Sequence, residues 1–272
     1  MLNELIGNGR TANVYKFDDN RVVKLFNDDV TKENIKYEYD VNKIANTFHC
    51  PTPKVFEMIE IDGKIGIVFE KIIGQTIFNL LKKTPTKVKQ IATHAAKAHL
   101  DIHKGIAPQL KNQFEYFKHK IDKTELLTEQ EKRKIIAYLY KLPSDNKLCH
   151  GDLHPDNFLV NEKNYYIIDW ITAYSGSPAS DVARAMLIMN TPFVKTTVSK
   201  WTYPIVKLLN KEYEKYFIKV YVNNSSMRKQ DLYDWLLPVA AARLCENVPL
   251  EKEWLLGIIK KELCKYSTNA TI

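Results

Sequence analysis

Apolar and polar positions alternate along the first seventy residues, and beyond residue 74 they recur every three or four. Residues 2–7 (LNELIG) and 13–17 (NVYKF) read as strands on either side of a short glycine-containing loop. Residues 21–26 (RVVKLF) follow after the turn formers Asp18, Asp19 and Asn20. The next segment, TKENIKYEYDVNKIANTF, leaves this period. Ile35, Tyr39, Val41, Ile44 and Ala45 fall at roughly helical spacing behind Thr31, a suitable N-cap. Two more alternating runs then meet at Asp62-Gly63, a pair suited to the positive φ angles of a tight hairpin. The pattern therefore predicts five strands and one helix for the first part of the chain.

The second part reads as mainly helical. TKVKQIATHAAKAHLDIHKG runs from a threonine cap to a glycine stop, and residues 115–123 and 129–140 continue the pattern. KLLNKEYEKYFIKVY, PVAAARLCENV and EKEWLLGIIKKEL supply further helices after Ser180. There is no internal repeat and no low-complexity linker, and the change of period places a boundary at residues 71–74. Two units follow, 1–73 and 74–272, in an α+β arrangement. A cleft between a β-rich and a helical unit is a usual place for a ligand.

Composition narrows the class. The 272 residues are 45% hydrophobic and 26% charged, which suits a soluble globular protein. No apolar run approaches the ~20 residues that a membrane span needs. Cys50, Cys149, Cys245 and Cys264 form no short-spaced pair, so buried thiols in a reducing, cytoplasmic setting are expected. The net charge of +8 raises the question of nucleic acid, but arginine is rare beside lysine and the lysines are interleaved with acids. A solvated lysine surface explains that balance, and its field favours an anionic ligand such as a nucleotide.

The chemistry concentrates in LCHGDLHPDNFL (148–159) and IIDW (167–170). His150 and His154 are four apart, as zinc ligands on a helix are, but Gly151 and Pro155 oppose a helix there. His99 and His103 share that spacing without the glutamate a zinc-hydrolase helix places beside its first histidine. Magnesium fits better, because it takes oxygen ligands from one or two side chains and completes its shell with phosphates and water. Asn157 and Asp169 offer an amide and a carboxylate at the two ends of a hairpin, LVNEKNYYII. Asp152, five residues before the asparagine, is then placed to accept a hydrogen bond from an attacking hydroxyl. Asp-x4-Asn followed by an apolar-flanked Asp is the protein-kinase arrangement.

HGDLHPDNFLV with IIDW resembles the catalytic core of the aminoglycoside phosphotransferase and choline kinase family, small-molecule kinases with a bilobal protein-kinase-like fold. The resemblance covers most of the chain and weakens after about residue 195. It implies a five-stranded antiparallel N-terminal sheet with one helix and a larger, mainly helical C-terminal lobe. It also implies ATP (or GTP) with Mg²⁺ as cofactors, and a small-molecule hydroxyl as acceptor. IGNGRTANVYKF is similar to the family's phosphate loop, which assigns Gly7, Asn8, Gly9, Arg10 and Thr11 to nucleotide binding; Ala12 stands where the third glycine would be. Lys24 matches the nucleotide lysine. Glu38 falls where its helix partner should be, with Glu33 and Asp40 as rivals. The hinge IVFEKIIG implies that the backbone at Glu70 and Ile72 meets the adenine, and SPASDVAR implies that Asp181, with His150, supports the catalytic loop.

The acceptor is less legible. Only twelve positions separate Asp169 from Asp181, too few for the segment on which protein kinases dock peptides, so a small molecule is favoured over a protein. A catalytically silent nucleotide-binding scaffold is the reading from another class. Residues 201–272 carry 11 basic and 8 acidic residues, a count against a polycationic acceptor. Tyr213, Tyr216, Phe217, Tyr221, Tyr233, Trp235 and Trp254 are candidates for a choline cage or for core. Glu246 and Trp170 are the substrate-side candidates.

Overall fold

The computed structural model describes residues 4–48, 50–161 and 164–269. Its first part is an antiparallel sheet of β1 (Leu5–Asn8), β2 (Ala12–Lys16), β3 (Arg21–Phe26), β4 (Val55–Ile61) and β5 (Lys64–Glu70), in the order β1-β2-β3-β5-β4. Asp62 and Gly63 close the β4–β5 hairpin with φ of 52° and 78°. Helix α1 (Lys32–Thr47) crosses from β3 to β4, and the Thr31 hydroxyl caps it by accepting from the Asn34 N–H at 3.3 Å. One stripe of α1 serves two cores. Ile35 packs with Ala12, Phe26, Val55 and Ile67 beneath the sheet, while Val41 and Ala45 join the large core of the rest of the chain.

The remainder begins at β6 (Gln75–Thr76), which leads into α2 (Ile77–Lys83), a helix the sequence pattern did not announce. The Thr-to-Gly helix expected next starts later than its threonine. Pro85–Lys87 form a 3-10 turn, and α3 (Val88–Ile102) follows with no side-chain cap. Helices α4 (Gln113–Lys123) and α5 (Glu129–Leu139) lie close to expectation, and Thr128 and Glu131 build a capping box on the second.

Short strands carry the segment around Asp152, Asn157 and Asp169. β7 (Lys147–Cys149) pairs with β10 (Tyr174–Gly176), while β8 (Phe158–Val160) lies between β6 and β9 (Tyr165–Ile167). The expected hairpin is thus β8–β9, with residues 162 and 163 outside the described residues. Leu148, Cys149, Phe158 and Ile167 are buried. Complete burial of a Leu, Ile or Phe side chain contributes about 1.5–3 kcal/mol, which fixes the strands from which the loops emerge.

Helices α6 (Pro178–Met189), α7 (Val194–Thr197), α8 (Tyr203–Asn223), α9 (Lys229–Asp234), α10 (Leu236–Arg243) and α11 (Lys252–Asn269) complete the fold. Tyr213, Phe217, Tyr221 and Trp235 are core, while Tyr216, Tyr233 and Trp254 are only partly buried. Cys50 and Cys149 are buried as expected, whereas Cys245 is half-buried and Cys264, on α11, is exposed. Among the described residues no helix is long and apolar enough to cross a membrane.

Candidate active site

Lys24 occupies the middle of β3, where strand alternation turns its side chain away from buried Val23 and Leu25. Its amine donates to Glu38 Oε1 at 2.6 Å and to Asp169 Oδ1 at 2.9 Å. Burial works against the charged amine, but Glu38 and Asp169 overcome it and raise its pKa. Helix phase decides among the acids of α1. Glu38 lies on the face of Ile35, Val41 and Ala45 and is buried, whereas Asp40 pairs with Lys36 at the surface.

Asp169 follows β9 in the left-handed region, φ 68°, a conformation costly for most side chains and more tolerable for Asp and Asn. Burial would raise its carboxyl pKa, yet Lys24 brings it below the usual value. Asn157 reaches the same corner through the sheet: its carbonyl accepts from the Ile168 N–H at 3.0 Å. Its side-chain Nδ2 donates to the Asp152 carbonyl at 2.9 Å, which leaves the amide oxygen for another partner. An amide oxygen and an ionised carboxylate, held beside a lysine, are donors of the kind that Mg²⁺ takes.

Asp181 holds the loop that carries Asp152. Its Oδ1 accepts from the Gly151 N–H at 2.8 Å, and its Oδ2 accepts from the His150 N–H at 2.7 Å. His99 Nε2 (2.9 Å) and His103 Nε2 (3.2 Å) add two more donors to Oδ2. Burial disfavours the Asp181 charge, but the two histidines and their hydrogen bonds bring its pKa well below the carboxylate range. Ligand-type atoms of His99, His103 and Asp181 lie within 4.8 Å of one another. Four hydrogen bonds converge on the carboxylate, so this cluster is a brace on the loop backbone.

Burial pushes the His103 pKa down to about 4, so the ring is neutral and its Nδ1 accepts from the Tyr221 hydroxyl at 2.6 Å. Burial likewise lowers the pKa of His150. Its Nδ1 accepts from the Asp152 N–H and its Nε2 donates to the Ile168 carbonyl, joining the loop of Asp152 to the strand before Asp169. Gly151 has φ +77°, and a Cβ there would lie 2.2 Å from the Thr172 carbonyl oxygen, so only glycine fits.

Asp152 is the meeting point of several cations. Arg184 Nη2 donates to its Oδ1 at 3.0 Å, and His154 Nε2 stands 3.6 Å from Oδ2. Burial would raise this carboxyl, yet His154, Arg184 and Arg243 hold it far below the usual range. Glu246 is fully engaged: Lys120 donates to it at 2.8 Å, Arg243 at 3.0 Å and Arg184 at 3.1 Å. Despite burial, these cations lower its pKa to about 2. Trp170, the other substrate-side candidate, is corrected. It is completely buried, packs beside the His150 ring and donates its indole N–H to Thr52, so it supports the loop from within.

Of the residues expected to form a phosphate loop, Gly9 donates its N–H to the Ala12 carbonyl at 2.9 Å, closing a tight turn around Arg10 and Thr11. Asn27 secures the turn by donating to the carbonyls of Arg10 and Thr11. Gly7 and Asn8 lie on β1 opposite Val14 and Asn13. At the hinge, Glu70 N–H bonds Lys54, and the Ile72 N–H has no main-chain partner among the described residues.

Arg184, Lys120, Arg243 and Glu251 were not anticipated. A signal for two of them is present in the sequence. Only six of the 40 basic residues are arginine, and Arg184 and Arg243 interrupt the apolar helices DVARAMLIM and PVAAARL. An arginine in such a run needs a buried acid.

A model of the phosphotransferase enzyme family matches residues 3–204. No curated protein matches the chain in sequence. A thermostable mutant of the aminoglycoside phosphotransferase APH(4)-Ia is similar in structure, with a TM-score of 0.66 at 14% identity over 96% of this chain and 93% of that one. The amicoumacin kinase hAmiN, in complex with AMP-PNP, Ca²⁺ and Ami, gives 0.61 at 15% identity over 96% and 90%. A choline/ethanolamine kinase family protein from Mesorhizobium loti gives 0.57 at 14% identity over 98% and 87%.

Proposed function

Because the chain belongs to the phosphotransferase enzyme family, we propose that it moves the γ-phosphoryl group of ATP (or GTP) to a hydroxyl of a small molecule. The observation that carries this reading is the triad in which Lys24, from the sheet, reaches Glu38 in α1 and Asp169 beside the catalytic loop. Residues 1–73 form the nucleotide lobe and 74–272 the catalytic and acceptor lobe. The chain crosses at Gly74, where a Cβ would lie 2.7 Å from the Val160 carbonyl oxygen. The reaction draws on the cytoplasmic nucleotide pool.

In this reading the turn at Gly9–Thr11 covers the phosphates, with Gly7 and Asn8 behind it, and Lys24 holds the α and β groups. The adenine lies against the backbone of Glu70 and Ile72. Asn157 and Asp169 hold Mg²⁺, which when bound neutralises charge building up on the phosphates. Asp152 orients the acceptor hydroxyl through Oδ2 and takes its proton as the bond to the γ-phosphorus forms and the bond to the β–γ bridging oxygen breaks, releasing the nucleoside diphosphate; Arg184 occupies Oδ1. His150 and Asp181 keep the loop in place. A peptide acceptor is disfavoured, because residues 173–187 are buried and β10 is paired with β7. Structures of the neighbours with AMP-PNP support the choice of a nucleoside triphosphate.

The test is ATP consumption by wild type and Asp152→Ala, with nucleotide binding measured on both by calorimetry. Turnover should fall about 10³-fold with nucleotide affinity retained within roughly threefold. Unchanged turnover removes Asp152 from its role. Wild-type protein that binds ATP and transfers nothing to any acceptor would be a scaffold.

A further inference from the structure

The wall beside Asp152 is built from side chains that reach it from α4, α6, α10 and the turn after α10. Arg184 is almost wholly buried and bridges Asp152 Oδ1 to Glu246. Arg243 bridges Glu246 to Glu251, with which it makes two hydrogen bonds at 2.7 and 2.9 Å. Thr191 also donates to Glu251. Lys120 completes the set from α4. Lys120, Arg184 and Arg243 thus face Glu246 and Glu251, and only Asp152 itself balances the third cation.

That stoichiometry bears on what can dock. An ammonium group needs a carboxylate with lone pairs to spare, or an open aromatic face. Glu246 already accepts from three cations, and Glu251 is buried under Arg243. Tyr116, the aromatic ring touching this cluster, carries the Lys120 amine 4.8 Å above its centroid. The position that a quaternary ammonium would take is filled by the protein's own cation. A donor, by contrast, is to spare: the Lys120 amine is 17% exposed and spends one N–H on Glu246.

We propose that the acceptor site selects hydroxyl compounds that are uncharged or acidic near the reacting hydroxyl, such as sugars, sugar acids and hydroxy acids. Polyamine antibiotics and choline-like amino alcohols are selected against. The inference rests on the kinase reading and specifies its acceptor class. A lone acceptor hydroxyl finds Asp152 Oδ2, and a neighbouring hydroxyl or carboxylate finds the Lys120 amine. An ammonium at that place finds Glu246 and Glu251 already taken by the protein's own cations.

The test ranks three acceptor panels in one assay of ATP-dependent phosphorylation: kanamycin and hygromycin B, choline and ethanolamine, and a set of sugars with gluconate and glycerate. Binding of kanamycin, choline and gluconate to the complex with AMP-PNP is measured beside it. The third panel should lead both amine panels at least tenfold in kcat/KM, and gluconate should bind at least tenfold more tightly than kanamycin or choline. In Lys120→Gln, which removes the charge and shortens the side chain by one atom, the preference should narrow about fivefold with affinity for AMP-PNP unchanged. An amine ahead of every member of the third panel, or no difference among the panels, overturns the inference. A wild-type protein that fails to bind AMP-PNP at all would instead defeat the kinase reading.

Discussion

In front of the loop that carries Asp152, on the side proposed for the nucleotide, charges are left partly open. Lys24 is 15% exposed and Asp169 35%, and the turn around Arg10 and Thr11 stands in solvent. Behind the loop the charges are more numerous and closed: Asp181 is fully buried with four donors, and Arg184 is 3% exposed between two carboxylates. Both sides are made of ion pairs, yet they do different work. A buried pair whose valences are filled inside the protein fixes geometry. A pair with an oxygen or an N–H to spare is a place where a ligand completes the set. The comparison predicts that changes behind the loop are felt first in folding, and changes in front of it first in nucleotide binding and transfer.

The largest effect is expected at Asp181. Asp181→Ala leaves the His150 and Gly151 N–H groups and two histidine N–H groups without an acceptor in the core. Removing one partner of such a buried set costs about 3–5 kcal/mol, so the midpoint of urea unfolding should fall sharply, even with nucleotide present. A variant as stable as wild type would show that the brace is dispensable and would remove the distinction between the two sides.

Asp169→Asn probes the front. Asparagine tolerates the left-handed backbone at this position, and Lys24 keeps Glu38 as its partner. Stability should therefore change by less than about 1 kcal/mol. Turnover, and the part of nucleotide affinity that depends on Mg²⁺, should drop about 100-fold. Equal turnover in the variant would move the metal site elsewhere; a large loss of stability would make Asp169 a folding residue like Asp181.

How far each side can be read from the chain follows from the same contrast. Asp152, Asn157 and Asp169 sit on one loop and one hairpin, so their spacing in the sequence is close to their spacing in space. Lys24 was legible through the family resemblance of VVKLF, in a run whose alternation reads as a strand. Glu38 required helix phase, which the positions of Ile35, Val41 and Ala45 contain. The acceptor wall could not be assembled this way. Arg184 lies 32 residues from Asp152 and 62 from Glu246, so no local period relates them. Glu246 was singled out as a pocket acid, but its three cationic partners depend on how α4, α6 and α10 pack. The five-stranded sheet with α1 was legible throughout; α2 was not, being short and preceded by a strand of two residues.

The smallest of the expected effects tests the closed side without altering its side chains. Burial lowers the His103 pKa to about 4, below the ~6.5 of an unfolded histidine. Between those values the unfolded chain binds more protons than the native one, so stability rises with pH across that window and is lost on acidification. From pH 6.5 to 5.0 the loss due to this residue should be about 2 kcal/mol. The groups that face the ring are His99, Asp181, Tyr221 and, at longer range, Lys147. Asp181 and Glu246 both have lowered pKa values, and their contributions are lost below the ordinary carboxylate range, outside this window. Unfolding free energies of wild type and His103→Gln at pH 6.5 and 5.0 separate the cases. A shallower slope in the variant assigns the acid sensitivity to the brace, where a neutral ring is needed to accept from Tyr221 and donate to Asp181 at once. The same slope in both proteins would mean that His103 carries its proton freely in the native state, and that the region behind the loop is as open to water as the region in front.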